Sequence, residues 1–299
     1  MLFFQLPTLC SVPQTHRPPL AVDAWPSDPR AGRLLDVFRK RQGETIMTAF
    51  SGGIDSTLVA AAARRVLGRD AAPAAVGDSR SLPRRELEQV RQLAEQLDLL
   101  LIEVQPGEQL DPDYQKNAAD RCYFCKTHLY DTLQQTARQR GIATIANGTN
   151  LDDQGDHRPG LRAADEAAVI SPLVEAELTK QDVRDVARML GLPNWDKPAA
   201  ACLASRLPYG TPVTAERLER VEEAENALAD LGFTGFRVRH HEEVARLEIP
   251  LDQLDRVMAA DMRQRVVEAL KAVGYVYVSL DLEGFRSGSG NVTLTVGGA

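Results

Sequence analysis

The chain has 299 residues, of which 43% are hydrophobic, and it carries a formal net charge of −7. This length can bury one large core or two moderate ones, and the acidic balance disfavours an extended nucleic-acid track while suiting small anionic substrates. No apolar run reaches the roughly 18 to 20 residues of a membrane span, and the run MLFFQLPTLC lacks the basic flank of a signal peptide, so we expect a cytoplasmic protein.

Residues 1–30 are rich in proline and poor in apolar clusters, which predicts a flexible extension. Strand and helix patterns alternate over residues 31–193. The predicted strands are ETIMTAF, AAPAAV, LLLIEV, IATIANG and AAVISPL, and the predicted helices are STLVAAAARRVLG, LPRRELEQVRQLAEQLD, KTHLYDTLQQTARQRG and LTKQDVRDVARMLG. This alternation predicts an α/β domain with a parallel sheet, helices on both faces and ligands at the carboxyl ends of the strands.

Residues 194–299 follow a different pattern, which predicts a smaller α+β domain. TAERLERVEEAENALADLG reads as an amphipathic helix, FRVRHH and ARLEI as paired strands, and YVYVSLDL as a final strand. LDQLDRVMAADMRQRVVEALKAVG is predicted to form a single helix between them.

The string AFSGGIDSTLVAAAA joins a predicted strand to an alanine-rich helix. Gly52 and Gly53 permit close backbone approach, and Ser56 supplies a hydroxyl in the first helical turn. The first N–H groups of a helix have no internal partner and lie at the positive end of its dipole, so this turn predicts a phosphate site. The Walker A lysine and the GxGxxG pattern are absent, so neither a P-loop NTPase nor a dinucleotide fold is indicated.

This string resembles the SGGxDS loop of the ATP pyrophosphatase (PP-loop) superfamily, which has the adenine nucleotide alpha hydrolase-like fold. Members cleave ATP between its α and β phosphates and adenylylate a substrate. The resemblance implies that the β,γ-phosphates are wrapped by Ser51, Gly52, Gly53, Asp55 and Ser56, with Asp55 acting through Mg²⁺. Asp78 and Ser79 follow the next strand, where an adenine contact is expected. The end of IATIANG brings further candidates to the same crevice: Gly148, Asn150, Asp153, Asp156 and Arg158, the last for the α-phosphate.

Four cysteines, at positions 10, 122, 125 and 202, are too few for a disulfide framework. Cys122 and Cys125 are spaced i and i+3, so both can project from one helical face. The residues alone leave four interpretations open: buried structural cysteines, a zinc site completed by His128 and Cys202, a redox dithiol, or an iron–sulfur cluster held by three thiolates.

Longer strings are similar to the LarE family of ATP-dependent sulfur transferases over about residues 31–287. They are NGTNLDDQGDHRPG, LTKQDVRDVARMLGLPNWDKP, CLASRLPYGTPVT, FRVRHH, ARLEI and LDLEGFRSG. The resemblance implies that a carboxylate of pyridinium-3,5-biscarboxylic acid mononucleotide is adenylylated and converted to a thiocarboxylate, in biosynthesis of the nickel-pincer nucleotide cofactor. It also implies a homo-oligomer, with a hexamer as one candidate.

The sequence departs from the LarE members that sacrifice a cysteine sulfur. Their cysteine falls at the position of Ala201 here, next to Cys202, and Cys122 stands where they carry an aromatic residue. Other members have three cysteines arranged as here. The resemblance to them implies that Cys122, Cys125 and Cys202 hold a [4Fe–4S] cluster with a transferable sulfide, with Zn²⁺ as the alternative metal.

The same resemblance assigns a pocket for the substrate phosphate to Ser205, Arg206, Arg237 and Arg239. Arginine suits this role because its fork gives two hydrogen bonds to one phosphate, and alternate strand residues share a face. Glu225 and Glu248 match acidic positions near the sulfur-transfer site, for metal or proton handling. The expected catalytic residues are Cys202, Cys122, Cys125, Asp55 and Arg206.

Three other functions stay open at this point. A PP-loop tRNA thiolation enzyme is disfavoured by the acidic balance, because RNA binding leaves a positive footprint. A ligase similar to NAD or GMP synthetase leaves the three cysteines unexplained. A non-catalytic metal-binding scaffold would require a decayed loop, yet Gly52, Gly53, Asp55 and Ser56 are all present.

Overall fold

The computed structural model describes residues 25–155, 159–198 and 201–286. Most of the predicted N-terminal extension, Asp156, Arg158 and the C-terminal tail lie outside these residues. Four strands form a parallel sheet in the order β3-β2-β1-β4. They are β1 (Ile46–Ala49), β2 (Ala74–Gly77), β3 (Leu101–Val104) and β4 (Thr144–Ala146). The predicted parallel sheet is confirmed.

In the described residues up to Met189, eight helices precede, connect or follow these strands. They are α1 (Pro29–Arg39), α2 (Ile54–Leu67), α3 (Arg84–Gln96), α4 (Pro112–Gln115), α5 (Arg121–Gln139), α6 (Pro159–Glu166), α7 (Pro172–Glu175) and α8 (Lys180–Met189). Helix α5 begins several residues before its predicted start, so it includes both Cys122 and Cys125.

Both faces of the parallel sheet are covered, as the near-continuous apolar strands predict. Alternate residues of a strand point to opposite faces, and Ile46 and Ala74 accordingly join one apolar cluster while Met47 and Ala75 join another. The first cluster includes residues of α1, α2, α3 and α8, and the second includes residues of α5 and α6. Two helical layers therefore hold the short strands from either side.

The fifth predicted strand, AAVISPL, is wrong. This segment makes one parallel bridge, between Ala146 and Ile170, and α7 begins at Pro172 immediately afterwards. Proline has no N–H to donate to a strand ladder, and it fits the first turn of a helix. Most of the apolar run therefore lies partly exposed at the sheet edge, and it pairs with the sheet at one bridge without extending it.

The C-terminal part forms a three-stranded mixed sheet covered by helices, which confirms the predicted smaller unit. Its elements are α9 (Ala215–Asp230), β5 (Arg237–His241), β6 (Val244–Glu248), α10 (Leu254–Met258), α11 (Ala260–Ala272) and β7 (Tyr277–Leu280). Strand β6 pairs antiparallel with β5 and parallel with β7. Val238 and Leu247 of the sheet pack with Leu228 and Leu270 of the helices.

The single helix predicted before β7 is wrong. A 3₁₀ turn at Leu251–Gln253 leads into α10, and Ala259 leaves the helical region with φ −56° and ψ 135° before α11 starts. Alanine favours helix, so local propensity does not explain the break. The bend lets Val257 of α10 and Val266 of α11 pack into the same apolar cluster, so tertiary packing overrides propensity here.

Candidate active site

The nucleotide loop, residues 51–56, lies at the carboxyl end of β1, next to the point where the strand order reverses between β1 and β4. Gly53 is the N-cap of α2 and has no side chain to cap the helix. The Ser51 and Ser56 hydroxyls lie 3.1 Å apart, and the Ser51 N–H donates to Ser56 Oγ at 3.2 Å. Two hydroxyls and a helix N-terminus therefore face one site, which suits an anion.

Gly148, after β4, closes one side of this loop. A Cβ at this position would lie 2.7 Å from the backbone nitrogen of Ser56 and 3.0 Å from the Cβ of Asp55. Real Cβ atoms do not approach backbone so closely, so only glycine fits here without moving the first turn of α2. The sequence prediction that Gly148 shares the crevice with the loop agrees with this contact.

Asp55 is held by two side chains from different segments. Its Oδ1 accepts from Asn150 Nδ2 at 3.2 Å, and its Oδ2 accepts from Lys180 Nζ at 2.5 Å. The backbone N–H of Asn150 in turn donates to Asp153 Oδ2 at 3.2 Å. The structure thus brings Asp55, Asn150 and Asp153 together and adds Lys180, which the sequence analysis did not select.

Lys180 lies at the start of α8, where the chain returns to the loop. Thr179 caps this helix through a capping box with Asp182, and the Lys180 N–H donates to Asp152 Oδ2 at 2.8 Å. In sequence, a lysine at a helix start resembles an ordinary solvated residue. The Thr179 cap, which marks the start of α8 in the sequence, is the signal that could have indicated the position of Lys180.

Asp78 and Ser79 follow β2 and make separate contacts. Asp78 pairs with Arg84, and both line a cavity of about 520 Å³ together with residues of α9. The Ser79 hydroxyl donates to the buried Glu108, whose other carboxylate oxygen has no hydrogen-bond partner in the described residues. Polar groups therefore surround the carboxyl end of β2, where adenine was expected.

The three described cysteines carry free thiols, and two of them, Cys125 and Cys202, belong to the same apolar cluster. Cys125 on α5 and Cys202, at the N-cap of the 3₁₀ turn Leu203–Arg206, both pack against the cluster around Tyr114. Burial, followed by the charge of Cys202 and more weakly that of Cys122, raises the pKa of the Cys125 thiol to about 12. Cys122 differs from the other two because it is exposed.

Arg121 ties the cysteine helix to the Cys202 segment. Its buried guanidinium donates to the Asn117 side chain and, at 2.9 Å, to the carbonyl of Ala204. Burial alone would lower the pKa of Arg121, but Coulombic interactions, that with Cys202 first, outweigh burial and raise it.

The described residues contain no group of three or more His, Cys, Asp or Glu side chains arranged to hold a metal ion. His128, considered above as a zinc ligand, instead bonds to Asp111 through Nε2 at 2.7 Å. This contact lowers the pKa of Asp111. The three thiols therefore do not form a ready metal site in the described residues.

Arg206 is buried and its donors are occupied. Its Nε and Nη2 form a bidentate pair with Glu225 at 2.9 and 3.0 Å. Its Nη1 donates to the carbonyls of Ala201 and Cys202 at 2.7 and 3.0 Å, and to Ser205 Oγ at 3.0 Å. Arg206 therefore holds the backbone of the segment that bears Cys202.

Arg237 and Arg239 extend this basic cluster along β5. Arg239 donates to the Ser205 carbonyl and to Glu248, both at 2.8 Å. Arg237 Nη1 donates to the carbonyl of Phe236 at 2.6 Å. Burial lowers the pKa of Arg237, and the charges of Arg206 and Arg239 lower it further. Three guanidiniums therefore lie close enough to repel one another, and Glu225 and Glu248 serve as counter-ions of Arg206 and Arg239.

Comparison with known proteins decides the family. The NAD synthase family model matches residues 31–150. A pyridinium-3,5-bisthiocarboxylic acid mononucleotide synthase of Lactiplantibacillus plantarum is 40% identical over 252 residues, which are 84% of this chain and 91% of that protein. This chain belongs to the LarE family.

Two further proteins are similar in sequence to this LarE homologue. An uncharacterized protein of Synechocystis is 43% identical over 263 residues, 87% of this chain and 98% of that protein. A glutamine-hydrolyzing GMP synthase of Aeropyrum pernix is 27% identical over 279 residues, 84% of this chain and 50% of that protein. The LarE homologue is thus an enzyme of the PP-loop ATP pyrophosphatase superfamily, and use of ATP follows from that membership. Among its described helices, none has the length and apolar composition that a membrane crossing requires.

Proposed function

We propose that this enzyme activates a carboxylate of pyridinium-3,5-biscarboxylic acid mononucleotide with ATP and converts it to a thiocarboxylate, in biosynthesis of the nickel-pincer nucleotide cofactor. The name and coverage of the Lactiplantibacillus relative support this substrate. The observation that carries the proposal is the contact of Arg206 with the Cys202 carbonyl, beside Arg237 and Arg239. A mononucleotide phosphate at this cluster would replace some of the acceptors that these guanidiniums now contact, and it would lie near the segment that bears Cys202.

Each part of the chain then has a step to perform. The nucleotide loop and the start of α2 hold the β,γ-phosphates, and Lys180 neutralises charge on them. The substrate carboxylate attacks the α-phosphate, and pyrophosphate leaves. If hydrosulfide then attacks the acyl carbon, AMP leaves and the thiocarboxylate forms directly. If a cysteine thiolate attacks, AMP leaves and a thioester forms, and elimination across the cysteine Cα–Cβ bond must break its C–S bond to release the thiocarboxylate and leave dehydroalanine. Asp55 has the chemistry to hold Mg²⁺, which would neutralise phosphate charge when bound.

The finer proposal concerns the sulfur carrier. We propose that Cys122, Cys125 and Cys202 hold a [4Fe–4S] cluster, because three thiolates are the donors that such clusters use. The electrostatic interaction of Cys125 with the other two thiols supports it. Since these thiols do not form a ready metal site, the steps above include none through a cluster. Iron, sulfide and zinc analysis of anaerobically purified protein tests the proposal, and loss of H₂S from a cysteine during turnover would indicate sacrifice instead.

The activity is tested by separating its two halves in variants. Asp55→Ala is expected to abolish release of AMP and pyrophosphate, because it removes the carboxylate of the nucleotide loop. Cys202→Ala is expected to retain AMP formation and to lose thiocarboxylate formation, measured by mass spectrometry of the product. Asp113→Ala, at an exposed carboxylate paired with Lys116, is the matched control.

Three outcomes would count against this function. AMP release independent of the dicarboxylated mononucleotide would contradict the substrate, and loss of both half-reactions in Cys202→Ala would make the cysteines structural. Tight, salt-sensitive binding of tRNA would favour tRNA thiolation instead. The homo-oligomer implied by the resemblance remains part of the proposal, with light scattering as its measurement.

A further inference from the structure

Ser81 binds the backbone next to Cys202, although the two residues lie far apart in the chain. The Ser81 carbonyl accepts the N–H of Leu203 at 2.8 Å, and both residues are buried. A buried hydrogen bond is costly to lose, because its donor and acceptor are then left without water or protein partners. Ser81 lies between β2 and α3, at the carboxyl end of the parallel sheet. The loop after β2 therefore holds the start of the 3₁₀ turn that follows Cys202.

The peptide unit between Cys202 and Leu203 is held at both of its polar ends. The carbonyl of Cys202 accepts from Arg206 Nη1 at 3.0 Å, and from the N–H and Oγ of Ser205 at 3.0 and 2.7 Å. In a trans peptide the carbonyl and the following N–H point in opposite directions, and no described peptide bond is cis. The N–H end of the same unit therefore points away from Arg206, toward Ser81. Because this unit adjoins the Cα of Cys202, its orientation limits the directions in which the thiol can project.

Ser81 is itself fixed by contacts with other buried groups. Its Oγ is hydrogen-bonded to the hydroxyl of Tyr114 on α4, which packs in the same apolar cluster as Leu203. The Ser81 N–H donates to Ser79 Oγ at 2.9 Å, and Ser79 Oγ in turn donates to the buried Glu108. Polar networks of this kind, closed to water, hold their members in one arrangement. The carbonyl that binds Leu203 is therefore a fixed acceptor.

The two ends of this peptide unit differ in how the substrate would affect them. Arg206 belongs to the basic cluster proposed above for the mononucleotide phosphate, so a phosphate there competes with the Cys202 carbonyl for Arg206 Nη1. A charged phosphate attracts a guanidinium more strongly than a neutral carbonyl does. The Leu203 N–H takes no part in this competition, because its acceptor is the Ser81 carbonyl. The Ser81 contact thus remains when the substrate occupies Arg206.

We propose that Ser81, held by Tyr114, is a positioning residue that fixes the backbone of Cys202 while the substrate phosphate occupies Arg206. The inference rests on the proposed function, in which the sulfur step at Cys202 follows adenylylation. An error of about 1 Å in the placement of a reacting group can cost about 100-fold in rate, so a fixed backbone at Cys202 favours the sulfur step. Adenylylation takes place at the nucleotide loop and does not depend on this contact.

The test measures thiocarboxylate and AMP in the same reactions of Ser81→Ala and Tyr114→Phe. Each variant removes one partner of the same hydrogen bond, so the ratio of thiocarboxylate to AMP is expected to fall about tenfold in both, while AMP forms at the wild-type rate. The double variant should fall no further than a single one, because the two changes remove one contact. Tyr130→Phe, at a buried tyrosine of α5 in the other apolar cluster of the α/β domain, is the matched control and should keep the wild-type ratio.

Hydrogen exchange, read by mass spectrometry that resolves single amides, measures the anchor itself without substrate. The Leu203 amide is expected to exchange about tenfold faster in Ser81→Ala and Tyr114→Phe than in the wild type, and at the wild-type rate in Tyr130→Phe. A wild-type product ratio in both single variants, equal losses of AMP and thiocarboxylate, or additive losses in the double variant would overturn the inference. A wild type that forms no thiocarboxylate would overturn the proposed function, and the exchange rates alone would then decide whether Ser81 holds the backbone of Cys202.

Discussion

Two side chains bind the single charge of Asp55. Its carboxylate accepts hydrogen bonds from Asn150 and from Lys180, the latter at 2.5 Å. A bare carboxylate next to phosphates would repel them, so a cation at this position is needed throughout binding. Lys180 is partly exposed and lies on a flexible stem, so it can turn from Asp55 to a phosphate oxygen without moving α8.

Replacing Lys180 with methionine tests this role. Lys180→Met keeps the length of the stem and removes the charge, so pyrophosphate release is expected to slow by about 10- to 100-fold at limiting ATP. Steady-state assays of pyrophosphate measure it. Lys116→Met, at an exposed lysine paired only with Asp113 in the described residues, is the control and should match the wild type. Equal rates for both variants would remove Lys180 from the site.

Among the elements, helix α8 contributes more to the site than its sequence pattern indicates. Its capping box at Thr179 and Asp182 fixes the direction in which the chain enters the helix, and Arg30 from α1 reinforces it by pairing with Asp182 at 3.1 Å. These contacts lower the pKa of Asp182, the Thr179 hydroxyl most of all. The helix start that presents Lys180 is therefore held from two sides.

Thr179→Ala is expected to reduce both stability and ATP affinity. Loss of the N-cap costs about 1 kcal/mol in the free energy of unfolding, which urea titration can measure. Thr179→Ser retains the hydroxyl and should behave as the wild type. If Thr179→Ala lost stability but bound ATP normally, the cap would serve the helix alone and the placement of Lys180 would not depend on it.

The sequence predicts those elements whose pattern is strong and local. The period of α2, α3, α8 and α9 was sufficient to find them, and SGGIDS was sufficient to find the nucleotide loop. The break at Ala259 and the loss of the strand at AAVISPL depend on packing and on Pro172, and the apolar runs do not reveal them. Lys180 escaped notice because it acts on Asp55, 125 positions away, through a contact that no sequence spacing reveals.

Across the whole molecule, two neighbouring histidines at the end of β5, the buried His240 and the exposed His241, link stability to pH. His240 is almost fully buried, with Nδ1 3.0 Å from the Tyr275 hydroxyl, and it faces Glu242, Arg220 and Arg217. Burial lowers the pKa of His240 and also that of His241, where Arg246 adds to the effect. The folded state therefore prefers both rings neutral.

Stability is expected to fall as the pH is lowered. The unfolded histidines gain protons below about pH 6.5 while the folded ones resist, so acid favours unfolding through this range. Urea midpoints at about pH 7.5 and about pH 5.5 measure the loss. His240→Asn keeps a polar atom near the Tyr275 hydroxyl and should show a smaller change between the two pH values. An identical change would place the pH dependence elsewhere. Carboxylates with lowered pKa, such as Asp182, act only below about pH 4.

The unequal exposure of the cysteines has a practical result for anyone preparing the protein. Cys122 meets solvent while Cys125 is half-buried and resists losing its proton, so dissolved oxygen and alkylating contaminants will reach Cys122 first. A batch handled in air would therefore be short of one thiol, and a thiol titration before each assay would show it.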